Sequence, residues 1–360
     1  ATTANYITAI GFKALNSVTT GDRNTGIGYN AGEEITTGAD NTCVGAEAGR
    51  EADTCQRCTS VGRSAMANQT AANDIVAVGN YAAANGTSGC DHSVFVGSYA
   101  GGSATSADHC VAIGYETLRY MTDGHRNTAV GYQSMCASNV TGGTNTCVGY
   151  HAGKAITSGS ENTLIGHACG DALTTGTANT AMGIGALTNC TTADHNAAFG
   201  RSALQEVTDG HSNTGCGEDA GSAITTGDHN VMLGHNAGGS NSPSGQITTA
   251  NGVVCLGDNN VANLYCADTT ISSSDARDKT DVEDFVHGLS WIKELRPVTY
   301  RWDRRAWYGT GDKNSKGIPD GSKKRARLHL GFLAQEAIEV EKKHGYADTK
   351  DNMLVVNQNE

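Results

Sequence analysis

Four Asp-His pairs, Asp91-His92, Asp108-His109, Asp194-His195 and Asp228-His229, recur through the first two thirds of the chain. A carboxylate beside an imidazole can bind a metal or move a proton, and a stacked column of such pairs would offer several donors to one ion. No pair has a second ligand nearby in sequence, and Asp and His are ordinary turn residues, so no metal and no cofactor is expected. Cys55-Gln-Arg-Cys58 has the spacing of half a zinc site without its other half, or of a redox pair without its surrounding fold. The chain has 12 Cys in all, and they drift between positions. Bridges such as Cys43 with Cys58 or Cys90 with Cys110 therefore stand open beside buried free thiols. Sugar cleavage would need two acids converging on one cleft, and no standout pair is present, which disfavours a glycan-degrading enzyme.

The elements that would position these residues are repetitive. With 47 Gly, 3 Pro and 6% aromatic residues, the chain has too little bulk for a wide globular core but enough for the narrow interior of a stacked coil. A short phrase returns, as in Asn24-Thr-Gly-Ile-Gly28, Asn127-Thr-Ala-Val-Gly131 and Asn162-Thr-Leu-Ile-Gly166. Its last glycine falls at Gly11, Gly28, Gly45 and onward to Gly234 in steps of 17, with two steps of 18, and then irregularly at Gly257. The residue before this anchor is apolar, the one three before it is mostly Thr or Val, and the one between is usually small. Alternation of period two marks a strand.

Ala most often stands three residues after the anchor, and Ile35, Ile156, Leu173, Val207 and Ile224, seven after it, supply another inward position. Turn chemistry such as Thr-Thr-Gly-Asp closes each unit. The Asn four before the anchor should stack, its amides bonding from coil to coil and satisfying a buried turn. The repeat predicts a solenoid of about fifteen coils. All-β coils are favoured on propensity, although Ala14-Leu15 or Ala203-Leu204-Gln205 could form one helical turn per coil.

The formal charge is -12, with the acidic excess before about residue 271, which argues against nucleic acid as a partner. No apolar run approaches a membrane span and no leader peptide is visible, so no membrane insertion is expected. The cysteines, with sequons at Asn68, Asn85, Asn139 and Asn189, lean towards an extracellular setting. Near residues 268–272 the composition changes: the anchored phrase ends, and Trp291, Trp302 and Trp307 appear among Lys and Arg. This divides the chain into a solenoid at 1–268 and a smaller α+β domain at 269–360. Within the latter, Ala334 to Lys343 reads as a helix, Trp291, Ile292 and Leu295 as core, and the basic stretch from Lys313 to Arg327 as a solvated insertion.

The repeat phrase resembles that of trimeric autotransporter adhesin heads, where similar phrases build β-rolls packed in threes. Three further blocks, Ser274-Asp275-Ala276-Arg277-Asp278-Lys279-Thr280-Asp281-Val282, Leu295-Arg296-Pro297-Val298-Thr299-Tyr300-Arg301-Trp302 and Gly331-Phe332-Leu333-Ala334-Gln335-Glu336, resemble the intramolecular chaperone auto-processing family of endosialidase-type tail spikes. The chain stops before the long C-terminal helices that members of this family usually carry.

The resemblance implies a Ser-Lys dyad that cuts the chain once after assembly, with Ser274 as nucleophile, Lys279 as base and Ser273-Ser274 as the scissile bond. Asp275, Arg277, Gln335 and Glu336 support the motif. A hydroxyl attacks only when a base takes its proton, and a lysine serves as base only when desolvation lowers its pKa. Asp278 beside Lys279 favours the charged ammonium and would slow the cut. Together the resemblances imply a homotrimeric viral fibre on the virion surface, carried by other virion proteins and binding a glycan or protein receptor on a host. A glycan-degrading tail spike and a cellular adhesin or surface filament with the same tail are the alternatives.

Overall fold

The computed structural model describes residues 3–86, 90–261, 293–300, 329–331 and 333–344. The chain divides into two compact units, Ala1–Tyr265 and Cys266–Glu360.

The first unit is a parallel β-solenoid. Each coil contributes one three-residue strand, from β1 (Thr8–Ile10) and β2 (Thr25–Ile27) through β10 (Thr163–Ile165) to β14 (Val231–Leu233) and β15 (Val254–Leu256). The fifteen strands pair in sequence order in one sheet. Register is strict: Thr163 pairs with Thr180, Leu164 with Ala181 and Ile165 with Met182. β-Branched residues suit these positions because their stiff side chains pack along a pleated surface.

The rest of each coil is turn. Neither Ala14-Leu15 nor Ala203-Leu204-Gln205 is helical, and Leu15 (φ 49°) and Leu204 (φ 51°) lie in the left-handed region. Such residues recur at fixed places in every coil, for example Asn30 (φ 53°) and Asp40 (φ 61°). Their cost is offset by main-chain bonds between coils, since Asn30 N–H reaches Phe12 O at 2.9 Å and Asp40 N–H reaches Asp22 O at 3.0 Å.

The anchor glycine makes the corner after the strand. At Gly166 φ is +143°, and a Cβ there would lie 2.3 Å from the carbonyl oxygen of Gly183 in the next coil. Stacked backbones meet too closely at this corner for any side chain.

Which strand residue faces the core follows from this narrow interior. The middle residue points inward and is buried at Cys43, Ala77, Phe95, Leu164 and Met232, as are Ile35, Ile156, Leu173, Val207 and Ile224. The apolar residue before the anchor points outward, with Ile113, Met182, Phe199, Leu233 and Leu256 all exposed. Interior volume is shared within each coil. Where the middle residue is large, at Phe95, Leu164 and Met232, the residue four after the anchor is Gly101, Gly170 and Gly238, and a Cβ on each would collide with that side chain. Where it is alanine, at Ala112, Ala181 and Ala198, the same place holds buried Leu118, Leu187 and Leu204. Close packing leaves room for one large group between these two places in each layer.

The Asn column forms a hydrogen-bonded ladder. Asn179 donates its main-chain N–H (3.0 Å) and its Nδ2 (3.1 Å) to Asn162 Oδ1, and Nδ2 also bonds Ala193 O at 2.8 Å. The pattern runs through Asn127, Asn145, Asn162, Asn179, Asn196, Asn213 and Asn230. It survives the longer step before Gly257, where Val253 N–H bonds Asn230 Oδ1 at 2.9 Å.

In the second unit, β16 (Val298–Tyr300) pairs antiparallel with β17 (His329–Gly331), and α1 spans Ala334–Lys343. Glu336 in its first turn and Lys342 and Lys343 in its last complement the helix dipole.

Candidate functional site

Ser274 and Lys279, the expected nucleophile and base, lie outside the described residues, as do Ser273, Asp275, Arg277, Trp291, Ile292 and the basic stretch from Lys313 to Arg327. Two of the three sequence blocks are described in part, and the fold brings them together. Val298 stands opposite Gly331, Thr299 opposite Leu330 and Tyr300 opposite His329. The chain then enters α1, which places Gln335 and Glu336 in its first turn.

Glu336 forms a two-pronged ion pair with Arg296, whose Nε donates to Oε2 at 3.0 Å while Nη2 donates to Oε1. The Arg296 guanidinium holds the Glu336 carboxyl below the usual carboxylate range. A forked guanidinium on a carboxylate fixes orientation as well as charge, so the pair ties the start of the helix to the residue before Pro297. Glu294 is clamped in turn by Lys343 at 2.8 Å and His344 at 3.4 Å. Charged contacts thus join both ends of α1 to the segment before β16. Sequence reasoning singled out Glu336 but not Arg296, although the signal was there: an arginine beside proline, just ahead of a strand, in the block from Leu295 to Trp302.

In the solenoid, the Asp-His pairs serve the backbone. Asp91 Oδ1 accepts the Asn73 N–H at 2.7 Å, Asp108 Oδ1 the Asp91 N–H at 3.0 Å, and Asp194 Oδ1 the Thr177 N–H at 2.6 Å. Each acceptor caps the turn of the preceding coil, in the manner of an Asx turn spanning two rungs. His92 and His109 stack with centroids 5.1 Å apart. Among the described residues no cluster of three His, Cys, Asp or Glu could hold a metal ion.

Cys55 and Cys58 are buried and unbridged. Cys55 Sγ accepts the Ala72 N–H at 3.3 Å, and Cys58 occupies an Asn position in the column. Cys43, Cys90 and Cys110 are also free thiols, each pushed by burial up to about 11. None of the eleven described cysteines is in a disulfide.

Residues 274–346 match the family described as chaperone of endosialidase. The match begins at Ser274 and spans both described blocks of the second unit. No curated protein and no solved structure matches the chain. A parallel β-solenoid followed by a segment of this type is the organisation of a fibre or spike with a C-terminal chaperone.

Proposed function

We propose that the chain is the distal part of a homotrimeric viral fibre, displayed on the virion and contacting a host receptor, whose C-terminal segment drives assembly and cuts itself free before Ser274. The observation that carries this reading is the outer face of the sheet. An apolar column runs coil after coil from Ile10 (60% exposed) through Met182 (49%) to Leu256 (40%). A continuous apolar face of this kind marks a surface that another protein covers. A second and third copy of the chain, closing about an axis parallel to the sheet, would bury it in every coil at once.

The same repetition makes a chaperone necessary. Equivalent coils can pair in many slipped registers, and a tail that trimerises first fixes the register before the solenoids meet. Removing the tail afterwards would make the assembly kinetically irreversible.

Sedimentation equilibrium and denaturing mass measurement test both parts. The Ser274→Ala protein should sediment at three times the 37.1 kDa chain mass and remain uncut. Wild type should yield a fragment ending at Ser273. A monomer at micromolar concentration sinks the fibre reading, and uncut wild type sinks the self-cleavage.

A further inference from the structure

A groove of about 420 Å3 opens on the side of the solenoid, lined by Cys136, Ala137, Lys154, Ala155, Asp171 and Ala172. It arises from a local departure in the repeat. Six residues after the anchor, three consecutive coils carry Ala137, Ala155 and Ala172, whereas the coil before carries Tyr120 and the coil after Asn189. The alanines make an apolar floor three rungs long, about 10 Å at the usual strand spacing, with a bulkier residue in the repeat at each end.

Two groups of opposite charge stand over this floor. Lys13, Arg23, Arg57, Arg119 and Arg201 each hold a carboxylate of the same or a neighbouring coil, whereas Arg63 and Arg126 hold none among the described residues. Lys154 forms no ion pair among the described residues. Its neighbours along the groove are Cys136 one coil before and Asp171 one coil after, and burial pushes the Asp171 carboxyl above the ordinary range. On the adjoining surface His151 Nε2 meets Gln133 Oε1 at 2.9 Å, beside the stacked rings of Tyr132 and Tyr150. An apolar floor with a few convergent polar groups is the pattern of a binding site.

We propose that this groove binds a neutral glycan laid along the solenoid axis, and that it is the receptor contact of the fibre, a reading that rests on the function proposed above. Sugar rings present an apolar C–H face to the alanines and hydroxyls to the rim, where Lys154 donates and Asp171 accepts. A lone carboxylate or phosphate would be opposed by Asp171. A peptide strand would need a free backbone edge, yet the floor is already bonded between coils, Ala155 N–H to Asp171 O at 3.1 Å and Ala172 N–H to Thr188 O at 3.2 Å. The groove residues follow the place four past the anchor, which lies on the inner side of the strands: a Cβ added at Gly153 would meet Cys147 and Leu164. The groove is therefore separate from the outer sheet face that the trimer would bury.

The test uses the full-length protein on a panel of immobilised neutral oligosaccharides, followed by titration calorimetry with the sugar retained best. Lys154→Ala and Ala155→Tyr should each weaken binding by about tenfold or more, the loss of a charge-assisted hydrogen bond or of the floor. A tyrosine is already accommodated at this position of the repeat by Tyr120. Ala223→Tyr, at the same position in a distant coil, should bind as wild type. All variants should keep the wild-type sedimentation mass. A wild-type trimer that retains no oligosaccharide, variants that bind unchanged, or attachment only to a deglycosylated protein would each overturn the glycan groove. Those outcomes leave the fibre reading standing, whereas a monomeric wild type removes its basis.

Discussion

Two stretches of the solenoid share one backbone but hold their coils together differently. From Asn127 to Asn230 the column four before the anchor is asparagine in every coil, and each step adds three hydrogen bonds, as at Asn162 (3.0, 3.0 and 2.9 Å). From Cys58 to Cys110 the same column reads Cys58, Ile75, Ser93 and Cys110, all buried. There Ser93 Oγ donates to Ala107 O at 2.9 Å and accepts the Cys110 N–H at 3.0 Å, while Ile75 has no polar atom to offer. The backbone geometry persists across both stretches, so the ladder is not what sets the coil. Glycine corners and strand pairing set it, and the amides add stability where they are continuous.

The largest expected effect falls on the feature the two stretches share. Gly166→Ala and Gly79→Ala place a Cβ 2.3 and 2.5 Å from the next glycine carbonyl at φ of +143° and +139°. Each should cost upwards of about 4 kcal/mol in chemical denaturation. If either is tolerated, the corner does not define the coil.

Asn179→Ala should come next, because it leaves the Asn196 N–H and the Ala193 carbonyl short of partners in a buried site and takes the Nδ2 donor from the Asn162 amide oxygen. About 3 kcal/mol is expected, against about 1.5 kcal/mol for Ser93→Ala, which removes two bonds. Equal losses at the two positions would erase the distinction between the stretches.

Thiol alkylation under native conditions gives a finer measure. Cys216, exposed on the outer face, should react first and half-buried Cys136 next in the isolated chain. Cys58 and Cys110 should follow through local opening of the interrupted column. Cys169 and Cys190, buried within the ladder and pushed up to about 12, should react last. Simultaneous loss of all thiols would mean that the solenoid opens as one unit.

The smallest effect concerns the surface pairs Arg23–Asp40 and Arg57–Asp74, both before the ladder. Their arginines hold Asp40 and Asp74 below the usual carboxylate range. A lowered folded pKa makes the contribution complete above the ordinary carboxylate value and removes it as pH falls through the lowered one. A thermal midpoint followed from about pH 5 to about pH 2 should show a slight decline that Asp40→Asn and Asp74→Asn reduce and high salt suppresses. An increase in stability on acidification would reverse the assigned sign.

Much of this architecture could be read from the amino acids alone. Glycine at a fixed interval, a small residue between two β-branched or apolar ones, and an asparagine four before the anchor are local constraints. Local constraints repeated in every coil reveal themselves by period. The stretch from Ala334 to Lys343 also read as a helix, and the structure has one with those bounds.

Three features needed the fold. That the apolar strand residues face outward was decided by interior volume, which Phe95, Leu164 and Met232 share with the residue four past each anchor. The role of the Asp-His pairs as caps for the preceding coil, and the meeting of Arg296 with Glu336 across 40 residues, depend on contacts between separated segments. Sequence period fixes what repeats along the chain, whereas the partner of a side chain is set by which coils and strands pack against one another.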